Sequence, residues 1–99
     1  MKVRFLAEAR LELIDTVSYY EGEFEGLGER FWNEVDEHVE WIARNPEVPR
    51  LREGGYRRVN LKVFPYHLPY ICRDSTLWVL AIAHNHRQPI YWTKRAHTR

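Results

Sequence analysis

The sequence holds a single cysteine, Cys72, so the chain can form neither an internal disulfide nor a cluster of thiolate metal ligands. No apolar run approaches the roughly 18–20 residues of a membrane span. The opening Met1-Lys2-Val3-Arg4-Phe5-Leu6 passes into a polar helical pattern and lacks the apolar core of a signal peptide. These absences lead to the expectation of a cytoplasmic protein that does not use a membrane. There is no phosphate-cradling glycine loop, Walker lysine or dinucleotide fingerprint, and no serine or cysteine in a nucleophile elbow. Nucleotide-cofactor enzymes are set aside on that basis, and no cofactor is expected.

What is present is a balance of core-formers and charge typical of a soluble domain: 44% hydrophobic, 14% aromatic, 15 Lys+Arg against 14 Asp+Glu in 99 residues. A chain of this size buries roughly 60–70% of its unfolded surface, enough for one core, so a single domain over residues 1–99 is expected. Four Trp, six Tyr and four Phe supply much of that core. The net charge of +1 conceals a division along the chain. Residues 7–44 carry eleven acidic and three basic residues, a net of −8, whereas residues 50–99 carry ten basic and two acidic, a net of +8. Such asymmetry points to an acidic or polyanionic partner for the C-terminal half, unless acidic helices and a basic sheet satisfy each other.

Hydrophobic spacing organises the chain. Residues 2–6 alternate as a short strand. Ala9, Leu13, Val17, Tyr20 and Phe24 then recur at helical spacing, and Gly26 and Gly28 interrupt the pattern. Leu27, Phe31, Val35, Val39 and Ile42 mark a second helix that stops at Asn45-Pro46. So short a connection makes the pair an antiparallel hairpin over about 7–45. Residues 46–55 read as a loop. Strands are predicted over Tyr56 to Phe64, with Val59, Leu61 and Val63 on one face, over Tyr66 to Arg73, where Pro69 argues for an edge or a bulge, and over Leu77 to His84, apolar on both faces and central. The tail from Asn85 is predicted to fold back over the sheet as a short helical turn. The order strand, helix, helix, strand, strand, strand is an α+β layer, a helical hairpin on a small antiparallel sheet, with sheet and tail over about 56–99.

For chemistry, His84 and His86 stand two apart at a strand end, but no third ligand has suitable spacing, and no metal site is expected. A basic, aromatic cluster remains: Arg57, Arg58, Lys62, Tyr66, His67, Arg73, His84, His86, Arg87, Tyr91, Lys94 and Arg95. Metal-free cleavage of RNA through its own 2′-hydroxyl needs a base, an acid and cations for the transition state, and these residue types supply all three. Aromatics among them could stack unpaired bases. The competing reading is that the aromatics, Trp92 included, pack a small core while the cations face solvent or pair with helix carboxylates.

The helix ending at Asn45-Pro46, the run Gly55-Tyr56-Arg57-Arg58-Val59, the Phe64-Pro65-Tyr66 turn with Tyr70 beyond it, and the strand Val79-Leu80-Ala81-Ile82-Ala83-His84 resemble the RelE/ParE toxin superfamily. The close, His84 then Arg87-Gln88-Pro89, Tyr91-Trp92 and Arg95, resembles its plasmid-stabilisation branch. The resemblance implies the β-α-α-β-β-β fold, a type II toxin and a cognate antitoxin that neutralises it. It leaves two targets: mRNA on the ribosome, cut by RelE-like members, or DNA gyrase, poisoned without nuclease activity by ParE-like members. Whether the protein is an enzyme stays open with them. The RelE-like reading implies phosphate-stabilising cations at Arg58, Lys62 and Arg73 and an acid or base at His84, with Arg87 beside it. Target or RNA contacts fall on Arg57, Arg58, Tyr66, His86, Arg87, Tyr91, Trp92, Lys94 and Arg95. The tail carries Tyr91-Trp92 where the ribonucleases end in a catalytic Tyr or His, and no carboxylate base adjoins the arginines, which leans the reading to the ParE side. An inactive remnant that only binds a partner is the third alternative.

Overall fold

Residues 1–87 and 90–97 are described by the computed structural model, so Gln88 and Pro89 of the tail motif, and Thr98 and Arg99, lie outside the described residues. Strand β1 (Lys2–Phe5) leads directly into helix α1 (Ala7–Glu23), which is followed by α2 (Leu27–Arg44). The α2 stripe behaves as its spacing predicts: Phe31, Val35 and Ile42 are buried, with Leu27 and Val39 packed beside them. On α1, Ala9 and Leu13 are buried and Val17 and Tyr20 partly so. Phe24 departs from the predicted stripe, because α1 stops at Glu23 and the backbone turns extended there, leaving the ring 71% exposed.

The turn between the helices depends on backbone freedom. Gly26 sits at φ +87°, a left-handed conformation that glycine adopts without steric cost. No side chain of its own caps α2. Instead Glu21 reaches across from α1 and accepts from the N–H groups of Gly26 (2.9 Å) and Gly28 (3.0 Å). Gly28 lies inside the first turn of α2, where the sequence pattern had suggested a break. A Cβ there would stand 2.6 Å from the Val17 carbonyl oxygen. Gly28→Ala is therefore expected to push the helices apart and cost about 2 kcal/mol, read as a lower thermal midpoint.

The sheet order is β1-β4-β3-β2, with strands β2 (Arg57–Asn60), β3 (Tyr66–Arg73) and β4 (Thr76–Val79), and β5 (Ala83–His84) also pairing with β3. Pairing is antiparallel except that β1 joins β4 in parallel, Lys2 opposite Thr76 and Phe5 opposite Val79. The helical hairpin is the crossover between them. Residues 77–84 are central, as expected, but divided. β4 and β5 share one edge of β3, interrupted at 80–82.

Two strand expectations need correction. Of the two places expected for Pro69, the edge is excluded, because β3 is interior between β2 and β4, while a bulge does occur, in the facing chain, where residues 80–82 stand opposite 68 and 69. The Pro69 carbonyl accepts from Leu80 N–H (2.8 Å), so the nitrogen on that same edge faces the break between β4 and β5. The missing donor falls where the ladder has already lapsed. The strand predicted to Phe64 ends at Asn60, because the Glu34 carboxylate of α2 takes up the N–H groups of Lys62 (2.7 Å), Val63 (3.0 Å) and Phe64 (3.3 Å). That turn rotates Val63 outward, 68% exposed, and Phe64 inward. Phe64 joins Tyr20, Phe31 and Tyr66 in an aromatic cluster with centroid separations of 4.9–5.4 Å among its closer pairs.

The tail closes the opposite face. Helix α3 (Ile90–Thr93) and a 3₁₀ turn (Lys94–His97) seat Trp92, fully buried, against Tyr56 (4.7 Å between rings) and His67 (6.0 Å). Among the described residues, no helix is long and apolar enough to cross a membrane.

Candidate functional site

Alternation along β3 assigns the predicted residues to faces. Tyr66, Leu68 and Tyr70 point toward the helical hairpin, and His67 and Pro69 point away from it. His84 pairs with Tyr66 and shares its face, whereas Arg58, opposite Pro69, shares the face of His67. Arg58 and His84 are thus on opposite sides of the sheet. Arg73 sits at the far end of β3 from Tyr66, seven residues and about 23 Å along an extended strand. Its guanidinium donates to the Ala96 carbonyl at 3.2 Å, tying the tail down. Lys62 borders a third region, a groove of about 380 Å³ between α2 and the β2 edge with His38, Trp41 and Val59.

The structure does bring together Tyr66, His84, His86, Arg87, Tyr91 and Arg95. The His84 ring lies 5.0 Å from Tyr66 and 5.4 Å from His86. The Arg87 guanidinium stacks 3.9 Å over the Tyr91 ring, with that of Arg95 at 5.3 Å. Between them is a hollow of about 220 Å³, lined also by Glu12, Asp15 and Thr16 of α1 and by Ile82. His86 N–H donates to His84 Nδ1 at 3.1 Å, which places the proton of the neutral ring on Nε2. Burial, and after it the Glu12 carboxylate, pushes the Tyr91 phenol above its ordinary range, against the opposing charges of Arg87 and Arg95. Tyr91 is therefore a hydrogen-bond donor at neutral pH. The arrangement offers cations, a phenol and an imidazole in one shallow depression, suited to holding an acidic or polar surface.

Glu12 is the residue that sequence reading missed. Its carboxylate accepts from Ile82 N–H (3.1 Å) and from both terminal nitrogens of Arg95 (3.2 and 3.0 Å), while Arg95 also donates to the Leu80 carbonyl at 2.9 Å. One side chain joins α1, the β4–β5 break and the tail. Its position one residue off the apolar stripe was the available signal, but its partners lie about seventy and more residues away. This is also the one ion pair among the described residues. Apart from this pair, the −8 and +8 segments do not neutralise each other by side-chain ion pairing among the described residues. Glu21 and Glu34 instead bind backbone amides.

Other predicted contacts take structural places. Trp92 is entirely buried, because its ring fills the space over β2 and β3, so it is core and offers no contact surface. Arg57 donates to the carbonyls of Pro49 (2.6 Å) and Glu47 (3.3 Å), pinning the preceding loop. Lys94 is exposed on the 3₁₀ turn. A second cationic strip, which composition did not single out, runs along the β2 hairpin. Arg52 pairs with Tyr56 two residues before Arg58, and burial, then the charges of Arg58 and Arg50, pull the Arg52 guanidinium below its usual range. Among the described residues no three metal-ligating side chains gather.

No curated protein matches the chain. A solved structure from the chromosomal ParDE toxin–antitoxin system of P. aeruginosa shares the fold, with a TM-score of 0.63 and 20% identity over 85% of this chain and 95% of that one. The family model for the ParE toxin of type II toxin–antitoxin systems, parDE, matches residues 3–89. By that match, which runs from β1 through β5 and past His84, the chain belongs to the ParE toxin family of type II toxin–antitoxin systems.

Proposed function

We propose that the protein is a non-enzymatic inhibitor that arrests growth by binding DNA gyrase and that a cognate antitoxin neutralises it. The observation that carries this reading is the dispersal of the ribonuclease set: Arg58 and His84 occupy opposite faces of the sheet, and Arg73 the opposite end of β3. Cations that stabilise a phosphorane must converge within a few ångströms of the acid and the base. A docking surface has no such requirement. The cluster of Arg87, Tyr91 and His84, with exposed Lys94 nearby in the chain, supplies the arginine and aromatic anchors on which tight interfaces depend. The antitoxin is supported by cations that no carboxylate neutralises among the described residues, since an acidic segment bound only to the folded toxin both covers them and stabilises the fold.

Purified protein added to gyrase and relaxed plasmid is expected to block supercoiling and leave a cleavage complex. Arg87→Glu is expected to weaken that inhibition at least ~10-fold with an unchanged circular dichroism spectrum, as loss of a charged anchor does. Undisturbed supercoiling counts against the target. The second reading, a metal-independent mRNA endoribonuclease on the ribosome, draws on the His84 Nε2–H and the Tyr91 phenol sharing one hollow. Intact mRNA on translating ribosomes, or full toxicity of an Arg58→Ala, His84→Ala double variant, would sink it. Growth arrest on expression without antitoxin excludes an inactive binding module.

A further inference from the structure

Three buried side-chain atoms lack a hydrogen-bond partner among the described residues: Arg58 Nε, His67 Nε2 and Trp92 Nε1. Arg58 and His67 belong to the sheet face that the tail covers, and Trp92 to the tail that covers it. Buried polar atoms are rarely left unpaired, so three together mark a junction whose seating is finely balanced. His67 is its one titratable member in the ordinary pH range, 4% exposed and in ring contact with Trp92. His67 Nδ1 lies 2.8 Å from the Asn85 side-chain oxygen, an acceptor, so Nδ1 carries the proton and Nε2 presents a bare lone pair. The Trp92 ring packs over this imidazole at 6.0 Å between centroids, and the charge of Arg58 acts on it, but neither the Arg58 Nε–H nor the Trp92 indole N–H is bonded to that lone pair. The groups around the ring are Asn60 opposite it on β2, the cations Arg58 and Arg52, Ala83 and Asn85 on the β5 side, and Trp92 above. No carboxylate pairs with His67 among the described residues.

We propose that His67 is a proton-operated latch: neutral, it seats Trp92 and holds residues 90–97 on the sheet, and protonated at Nε2, it loosens them. Protonation turns the unbonded Nε2 from an acceptor into a donor and places a second positive charge, after that of Arg58, in the covered junction. The direction of the ring's acidity agrees. Burial, then the charges of Arg58 and Arg52, hold the docked imidazole below its ordinary value, against the hydrogen bond it donates to the Asn85 side-chain oxygen. An undocked tail exposes a histidine that takes its proton near 6.5. Docking is thus fully favoured above that pH. It weakens by up to ~10-fold per pH unit as pH falls toward the lowered value, and levels off below it. The segment released carries Tyr91, Lys94 and Arg95, so the latch governs their presentation whatever they bind.

The test labels the whole protein with 5-fluorotryptophan and follows its four indole resonances by ¹⁹F NMR from about pH 8 to pH 5, with Trp92 identified by its absence from Trp92→Phe. The Trp92 resonance is expected to move toward the solvent-exposed position below about pH 6.5 while those of Trp32, Trp41 and Trp78 hold still. In His67→Gln that movement should vanish. Asn85→Ala, which removes a hydrogen bond that favours the protonated ring, should shift the midpoint to lower pH. A Trp92 resonance that ignores pH, one that moves identically in His67→Gln, or an unshifted midpoint in Asn85→Ala each overturns the latch.

Discussion

Replacing Glu12 by alanine is expected to lower the thermal midpoint by about 10–20 °C, the fall that about 2–3 kcal/mol produces in a domain of this size. The magnitude follows from what the carboxylate does. Hydrogen bonds to charged groups are worth about 1.5–3 kcal/mol when partly sheltered, and Glu12 makes three, one to Ile82 N–H and two to Arg95. Ile82 lies where β4 and β5 are interrupted, so its amide has no strand partner to return to. The two side chains of the pair are 24% and 16% exposed, sheltered enough that solvent screens them only in part. Glu12→Gln keeps an oxygen for Ile82 but loses the charge on Arg95, and should recover about half of the loss. Thermal unfolding followed by circular dichroism at neutral pH checks both. A midpoint in Glu12→Ala within a degree or two of wild type contradicts the role. The same variant should also lose the proposed inhibition at temperatures where it remains folded, because that carboxylate places Arg95, whose guanidinium lies over the Tyr91 ring.

Glu34→Ala should be about as costly, about 2–3 kcal/mol, and for a different reason. Its carboxylate lies in a concavity of three successive backbone amides, those of Lys62, Val63 and Phe64. Amides converging in this way form an anion-binding nest, here filled by the protein itself. Emptying it removes the link between α2 and the turn that aims Phe64 at Phe31 and Tyr20. Glu34→Asp, one methylene short, should not rescue it fully. Hydrogen exchange localises the effect: amides 62–64 should exchange much faster in Glu34→Ala while those of β1 and β4 change only with global stability. Equal protection at 62–64 in both proteins would show that the nest is idle.

These two glutamates explain where sequence reading succeeded and where it stopped. Periodicity is a local property, and the elements it reports were legible: the stripe of Phe31, Val35 and Ile42, the alternation along β2 and β3, the apolar run at 77–84, and the order of elements. What ended β2 was not local. Asn60 is the last strand residue because Glu34, far back on α2, claims the amides from Lys62 to Phe64, and nothing in Leu61-Lys62-Val63 announces it. The site divided along the same line. That Arg87, Tyr91 and Arg95 come together is implicit in their spacing on a short helical tail. That Arg58 is separated from His84 depends on which face each strand presents, and a one-residue change of register would have reversed it. Trp92 was readable as either anchor or core by residue type, and only the space above His67 and Tyr56 decides for core.

The parallel pairing of β1 with β4 has a consequence for synthesis. The residues Lys2 to Phe5 are made about seventy residues before their hydrogen-bonding partners, Thr76 to Val79. Local contacts in the helical hairpin and the β3–β4 hairpin can form as the chain emerges, whereas closing so long a loop is slow and must wait for its far end. Most of the nascent chain therefore exists with β4 unmade and β1 unpaired. Until β4 arrives, the edge of β1 that it covers stays open. During that interval the chain is an incomplete sheet with an open edge, the state most exposed to mispairing.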